Sequence, residues 1–237
     1  FAGLFAGYAA ITDFLVMIIV FCLAVYVFSS GRPARGLFIF VVGGLVCAVI
    51  VAAYNIKCFG NPISLSYSHL SLDKFREEAK IGLFGINRPG FREMIALLFS
   101  PSRGIFVIMP VLLLSFIGIR RMFAGSKYRR EALFIIAICA TYLIVNSAYS
   151  GWHGGWTFGP RYLVPILPFI VFTIAFGGWN YFSFLLLFLL SAFQVLAAVI
   201  GMPHAPEDIR NPLMEIIIPC MGQGYLARNA GMFFNLP

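Results

Sequence analysis

Long apolar runs separated by short polar segments dominate the chain. They cover residues 4–28, 36–54, 105–119, 132–149, 162–176 and 180–200. Since a helix of about 20 apolar residues crosses the hydrocarbon core of a bilayer, each run is a candidate membrane span, the shorter ones with help from flanking residues. The pattern predicts an all-α polytopic membrane protein with about six transmembrane helices.

The longest polar segment, residues 55–104, follows the second run. Apolar residues recur at helical spacing over 88–99, with charged residues between them, which predicts an amphipathic helix lying in the membrane interface. This helix is either a collar around the membrane domain or a wall of a groove for a lipid substrate. A second short helix is predicted over 71–81, where capping residues precede two glutamates.

Composition supports the membrane interpretation. Hydrophobic residues make up 61% of the chain and charged residues 11%, with a mean hydropathy of +0.92, which excludes an ordinary soluble protein. The net charge of +8 therefore does not indicate a nucleic-acid partner, and no nucleic-acid motif accompanies it. Basic residues at membrane edges orient helices and contact the headgroups of membrane lipids.

The basic residues also predict the orientation of the chain. The densest cluster lies at 120–130, and the 29–36 loop falls on the same side by alternation. The positive-inside rule places both in the cytoplasm. The extracytoplasmic side then receives the loop 55–104, the loop 150–162 and the tail 201–237. We expect residues 1–200 to form the transmembrane domain and the tail to lead into a further span.

Cysteine, histidine and acidic residues give no clear metal or cofactor site. Cys58 and Cys220 fall in segments on the same predicted side, which leaves one disulfide open, and no cysteine pair has metal-ligand spacing. In the tail, His204, Glu207 and Asp208 form either a metal site or a solvated turn, and the flanking prolines favour the turn. No metal and no cofactor are predicted. The remaining cysteines lie in apolar runs, where a thiol behaves as a small hydrophobe: Cys22, Cys47 and Cys139.

Asp13 is the one acid inside a predicted span. Ionisable residues within a membrane are rare and raise a functional question. Asp13 either accepts hydrogen bonds from neighbouring helices, lies near the outer interface without a role, or acts in catalysis.

The loop SGWHGGWTFGPRY, Ser150 to Tyr162, concentrates unusual chemistry between two apolar runs. It holds two Trp, one His, four Gly and Arg161. Glycine allows close approach of the backbone to a ligand, indole rings offer flat faces, and a permanent guanidinium suits phosphate. These residue types suit the binding of a sugar and a phosphate. An aromatic membrane anchor with a snorkelling arginine is the alternative interpretation.

Five segments in this order carry a family resemblance: GLFAGYAAITDF, YNIKCFGNPISLSYSHL, LLFSPSRGIFVIMPVLLLSFIGI, NSAYSGWHGGWTFGPRYLVPILPF and NPLMEIIIP. The chain resembles bacterial integral-membrane glycosyltransferases of the GT-C class, the relatives of protein O-mannosyltransferases and of the aminoarabinose transferase that modifies lipid A. It is most similar to members that carry a W-x-G-G-x-x-F-G-P-R-Y motif. The residues that match the motif are Trp152, Gly154, Gly155, Phe158, Gly159, Pro160, Arg161 and Tyr162.

The resemblance implies a polyprenyl-phosphate sugar donor and a glycan, lipid or protein acceptor at the outer face of the bacterial inner membrane. It also implies an acidic general base, usually an Asp in the first extracytoplasmic loop of the family. The first residues here look like a later helix of the family, so we expect a central and C-terminal fragment with that Asp upstream of Phe1. Within the chain, Asp13 is a weak candidate for the base.

On the same resemblance, Arg161 and Arg103 are predicted to hold the donor phosphate. Residues predicted to contact the sugar or its lipid are Trp152, His153, Trp156, Tyr162, Asn61 and Tyr67. His153 is alternatively a loop histidine with a structural hydrogen bond.

Two other functions are alternatives to a transferase. A non-catalytic subunit that scaffolds a larger membrane complex would keep the same loop, and only an acidic loop upstream of Phe1 would separate the two. A transporter is disfavoured because charges cluster at one face and no inverted repeat is evident.

Overall fold

The computed structural model describes residues 1–29, 31, 34–64, 82 and 85–227, and its regular elements there are helices. Three helices are long and apolar enough to cross a membrane: Arg35–Phe59, Arg129–Ala148 and Tyr181–Ile200. Shorter apolar helices accompany them. The all-α prediction is confirmed, and the three long helices support a multi-pass membrane protein. The helix predicted over 71–81 lies outside the described residues.

The described chain divides into two compact units, of which the first comprises residues 1–87 and 133–142. Its helices are α1 (Ala2–Thr12), α2 (Val16–Ser29) and α3 (Ala34–Phe59). The backbones of α1 and α3 are in close contact, since a Cβ added at Gly3 would lie 1.9 Å from the carbonyl oxygen of Phe40. Such small-residue contacts are typical of helix pairs in membranes.

The run 4–28, expected as a single span, is interrupted at Asp13. Helix α1 ends at Thr12, and Asp13 has extended backbone at its C-terminal cap. The Asp13 carboxylate accepts a hydrogen bond of 2.9 Å from the backbone N–H of Leu15. A short acidic side chain that bonds to the backbone nearby competes with helix formation, which explains the break. The structure thus shows Asp13 in a local turn.

The second unit comprises residues 88–132 and 143–237. The helix over residues 129–148 has its middle part, 133–142, in the first unit and its two ends in the second. The helices that lie wholly or partly in it are, in chain order, α4 (Phe91–Phe99), α5 (Ile105–Ile108), α6 (Leu114–Ala124), α7 (Arg129–Ala148), α8 (Leu167–Ile174), α9 (Tyr181–Ile200) and α10 (Ile218–Gly222). Short 3₁₀ or π helices precede α6, α8 and α10: Pro110–Leu113, Arg161–Ile166 and Leu213–Ile217.

Proline explains where two predicted spans depart from one continuous helix. In the run 105–119 the α-helix ends at Ile108 and a 3₁₀ helix starts at Pro110, and the run 162–176 begins as a 3₁₀ helix through Pro165. At the first break, Val111 N–H donates instead to the Ser191 hydroxyl at 3.0 Å. The Gln194 amide donates to the Val107 carbonyl at 2.9 Å. Side chains of α9 therefore satisfy the two backbone groups that an unbroken helix would have paired.

Helix α9 has polar residues inside and apolar residues outside. Its buried side includes Ser191, Gln194, Ala197 and Ala198, whereas Phe188 and Phe193 are 48% and 56% exposed. This distribution suits a helix whose outer side faces lipid, because apolar side chains exposed to lipid carry no free-energy penalty. Leu213 and Ile217 of the tail pack against the two alanines.

All five cysteines are free thiols in the structure. The disulfide left open between Cys58 and Cys220 stays a prediction.

Candidate functional site

The glycine-rich loop 150–160 folds around the guanidinium of Arg103. This side chain is 2% exposed, and its Nη2 donates to the carbonyl of Gly155 at 2.8 Å. Its Nη1 donates to the carbonyl and hydroxyl of Thr157 and, at 3.5 Å, to the carbonyl of Gly159. The backbone of Arg103 is itself held by the Ser100 hydroxyl at 3.0 Å. The buried guanidinium of Arg103 thus holds the loop through three of its backbone carbonyls.

The electrostatic surroundings of Arg103 include both an acid and a second arginine. Burial lowers the pKa of Arg103, the Glu207 carboxylate opposes this shift, and the positive charge of Arg161 adds to it. A guanidinium remains charged despite such a shift. The hydrogen bonds of Arg103 go to loop carbonyls and to the Thr157 hydroxyl, and its predicted contact with the donor phosphate stays a prediction.

Two adjacent glycines in the motif have backbone conformations that only glycine adopts readily. Gly154 has φ +77° and Gly155 has φ +69°. A Cβ at Gly154 would also lie 3.1 Å from the Cγ of Arg161. The loop backbone therefore contacts the stem of Arg161 directly.

Arg161 is exposed, unlike Arg103. One guanidinium N–H group donates to the Tyr162 hydroxyl at 2.9 Å, and the guanidinium carbon lies 4.8 Å from the centre of the Tyr162 ring. Tyr162 in turn contacts Tyr149 edge to face, with 5.7 Å between ring centres. These contacts orient the side chain, while a guanidinium has five N–H donors and so retains several for a ligand.

An apolar cavity of about 300 Å³ adjoins Arg161, which is the one charged residue among the described residues that line it. Its walls come from the helices around the loop and from the start of the tail. The larger apolar side chains that line it are Ile108, Phe158, Leu163, Leu167, Val195 and Val199. The second unit thus places a permanent cation at the edge of a mainly apolar space.

The side chains of His153 and Glu207 lie within hydrogen-bond distance of each other beside this loop. The Nδ1 atom of His153 lies 3.1 Å from Oε2 of Glu207, and the side chains are 32% and 28% exposed. The backbone N–H of Gly155 also reaches this Nδ1, at 3.0 Å. A backbone hydrogen bond of 3.3 Å from Phe158 to Pro203 joins the loop to the tail.

The structure brings six of the predicted site residues into or against one loop of the second unit: Arg103, Trp152, His153, Trp156, Arg161 and Tyr162. Trp152 lies edge to face with His153, and Trp156 is 62% exposed.

Two other predicted site residues belong to the first part of the chain. Asn61 is exposed, and its side chain accepts a hydrogen bond of 3.0 Å from the backbone of Ile63. Tyr67 lies outside the described residues.

Glu207 contacts the loop through His153. From the sequence, Glu207 was predicted only as a metal ligand or a turn residue. Its partner His153 is distant in sequence, so no local pattern marks the pair. Across the part of the chain that the structure describes, no three His, Cys, Asp or Glu side chains converge as a metal site would require.

Comparison with protein-family models, with curated proteins and with solved structures gives no match.

Proposed function

We propose that the chain is a membrane glycosyltransferase that moves a sugar from a polyprenyl-phosphate donor to an acceptor at the extracytoplasmic face of the bacterial inner membrane. The observation that carries the proposal is the position of Arg161 at the edge of the apolar cavity. A polyprenyl phosphate joins one anionic group to a long apolar chain. It therefore matches a site that offers one exposed cation beside an apolar space.

Arg161 has the chemistry to bind the phosphate and to assist its departure. A guanidinium makes charge-assisted hydrogen bonds to phosphate oxygens, often two at once. When the bond between sugar and phosphate breaks, negative charge develops on the phosphate, and a fixed cation stabilises it. Tyr162 orients this cation, and Arg103 holds the loop whose backbone contacts its stem.

The cavity would receive only the beginning of the lipid chain. Its volume of about 300 Å³ is at the lower end of ligand pockets, so the rest of the polyprenyl chain would lie in the bilayer. The exposed face of Trp156 is available for a sugar ring, and Trp152 lies beside His153 in the same loop. Asn61 and Tyr67 stay predictions for the same ligand.

The proposal is tested by the binding of undecaprenyl phosphate to the full chain in nanodiscs. We expect the phosphate to bind at least tenfold more tightly than undecaprenol, which lacks the anion. Arg161→Ala should remove about 1.5–3 kcal/mol of charge-assisted binding, or roughly ten- to a hundredfold in affinity. Arg92→Ala, at an exposed arginine of α4, is the matched control and should bind normally. Equal affinity for the phosphate and the alcohol would contradict the proposal.

A second measurement separates the transferase from the alternative, a scaffolding subunit. If the lipid phosphate binds through Arg161 but the full-length protein transfers no sugar from any polyprenyl-phosphate donor, the site is a degenerate groove and the scaffold is correct.

A further inference from the structure

We propose that His153 accepts the proton of the sugar acceptor and that Glu207 is the positioning residue that fixes its tautomer; this inference rests on the proposed function. It gives the chain a proton acceptor of its own. The inference starts from one atom, Nδ1 of His153, which has two neighbours that cannot both be its hydrogen-bond partners.

The two contacts of Nδ1 require opposite protonation of that nitrogen. With a proton, Nδ1 donates to Oε2 of Glu207, 3.1 Å away. Without one, it accepts from the backbone N–H of Gly155, 3.0 Å away. The bond to an ionised carboxylate is charge-assisted and is therefore the stronger of the two. Glu207 thus favours the neutral tautomer with the proton on Nδ1.

This tautomer leaves the lone pair on the other ring nitrogen. A neutral imidazole carries one proton, so a protonated Nδ1 makes Nε2 the acceptor. His153 is about one-third exposed, and Nε2 has no hydrogen-bond partner among the described residues. The basic nitrogen is therefore open to a ligand in the loop that also carries Arg161.

The loop backbone fixes the base relative to the proposed phosphate site. The N–H of Gly155 lies 3.0 Å from Nδ1, the carbonyl of the same residue accepts a hydrogen bond from Arg103, and Gly154 contacts the stem of Arg161. Among the charged groups near this segment, Arg103 interacts electrostatically with both Glu207 and Arg161. Base and cation are thus connected by a few residues of one loop.

The proposed step moves one proton and one electron pair. The acceptor hydroxyl gives its proton to Nε2 of His153 while its oxygen forms a bond to the anomeric carbon of the sugar. The bond from that carbon to the phosphate oxygen breaks, and its electron pair remains on the phosphate beside Arg161. The resulting imidazolium is stabilised by Glu207 and later releases its Nε2 proton to water. The products are a glycoside and a polyprenyl phosphate.

The tautomer is measured directly by nitrogen-15 NMR of the full chain labelled at histidine, with His153→Asn used to assign the signals. The wild type should have a protonated Nδ1 and an unprotonated Nε2. In Glu207→Ala the Gly155 N–H becomes the remaining partner of Nδ1, so the proton should move to Nε2. The proposed pairing is wrong if the wild type has its proton on Nε2, or if Glu207→Ala has the same tautomer as the wild type.

Catalysis is measured with undecaprenyl phosphate that carries radiolabelled glucose, mannose, galactose or aminoarabinose, and with an extract of bacterial envelope lipids and glycans as acceptor. His153→Ala and Glu207→Ala should lower kcat by about a hundredfold or more, the usual effect of losing a general base, with KM changed only a few-fold. Glu207→Asp should recover part of kcat. Asp208→Ala, at an exposed neighbouring acid, is the control and should keep the wild-type rate.

The two failures are distinguishable. If the wild type transfers sugar and His153→Ala transfers it equally well, the base assignment is wrong and the proposed function stands. If the wild type transfers from none of the donors, the proposed function and the catalytic role both fail, whatever the NMR spectra show of the pair.

Discussion

Replacing Arg103 by methionine should unfold the loop that carries the proposed site. Methionine keeps most of the apolar stem but removes the guanidinium that donates to the carbonyls of Gly155, Thr157 and Gly159. Each lost hydrogen bond costs about 1 kcal/mol, so three acceptors give about 3 kcal/mol. The estimate uses the neutral value because relief from burying a charge offsets the extra strength of charge-assisted bonds.

The assay is the free energy of unfolding of the full chain in mixed micelles, titrated with SDS and followed by circular dichroism. Arg103→Lys should recover only part of the loss, since an ammonium cannot reproduce a planar fork that reaches several carbonyls. Arg92→Met removes an exposed arginine from the same unit and should change the free energy by less than about 0.5 kcal/mol. If Arg103→Met is as stable as this control, the loop is not held by Arg103.

Two further predictions concern helix packing and membrane topology. Gly118→Ala should destabilise the second unit by about 1–3 kcal/mol in the same titration, because the new Cβ would lie 1.9 Å from a backbone carbonyl of α8; Gly125→Ala, whose nearest neighbour would be 3.6 Å away, should cost little. Single cysteines at Lys127 and Trp156, in a background without other cysteines, should react with an impermeant maleimide from opposite sides of the membrane, and labelling from the same side would contradict an extracytoplasmic site.

The long helices were predictable because their apolar runs exceed the thickness of a bilayer core. The run 180–200 became Tyr181–Ile200, and the run 132–149 became Arg129–Ala148, each within a few residues. The run 36–54 became a longer helix that extends to Phe59. Hydropathy locates such helices well because length and apolar character are sufficient to identify them.

The breaks inside apolar runs were less predictable, although their causes are visible in the sequence. Pro110 lacks a backbone N–H and interrupts the hydrogen bonds of a helix. Whether such a residue kinks or ends a helix depends on partners for the freed backbone groups. Here those partners are Ser191 and Gln194, which no local pattern connects to the break.

The candidate site was likewise predictable from the sequence only in part. The motif identified the loop and the exposed Arg161, because clustered glycine, tryptophan and arginine are unusual in an apolar chain. It did not reveal that Arg103 is buried beneath the loop or that Glu207 contacts His153. Both facts depend on contacts between residues more than fifty positions apart, which only the folded chain brings together.

The most direct test of the central claim is transfer of a radiolabelled sugar from undecaprenyl phosphate by the full-length protein and by Arg161→Ala. We predict that the wild type forms a labelled glycoside from at least one donor. The variant should remain folded, as judged by the SDS titration, and lose transfer. Equal transfer by the two proteins would contradict the account, because the cation at the edge of the apolar cavity would then have no part in the reaction.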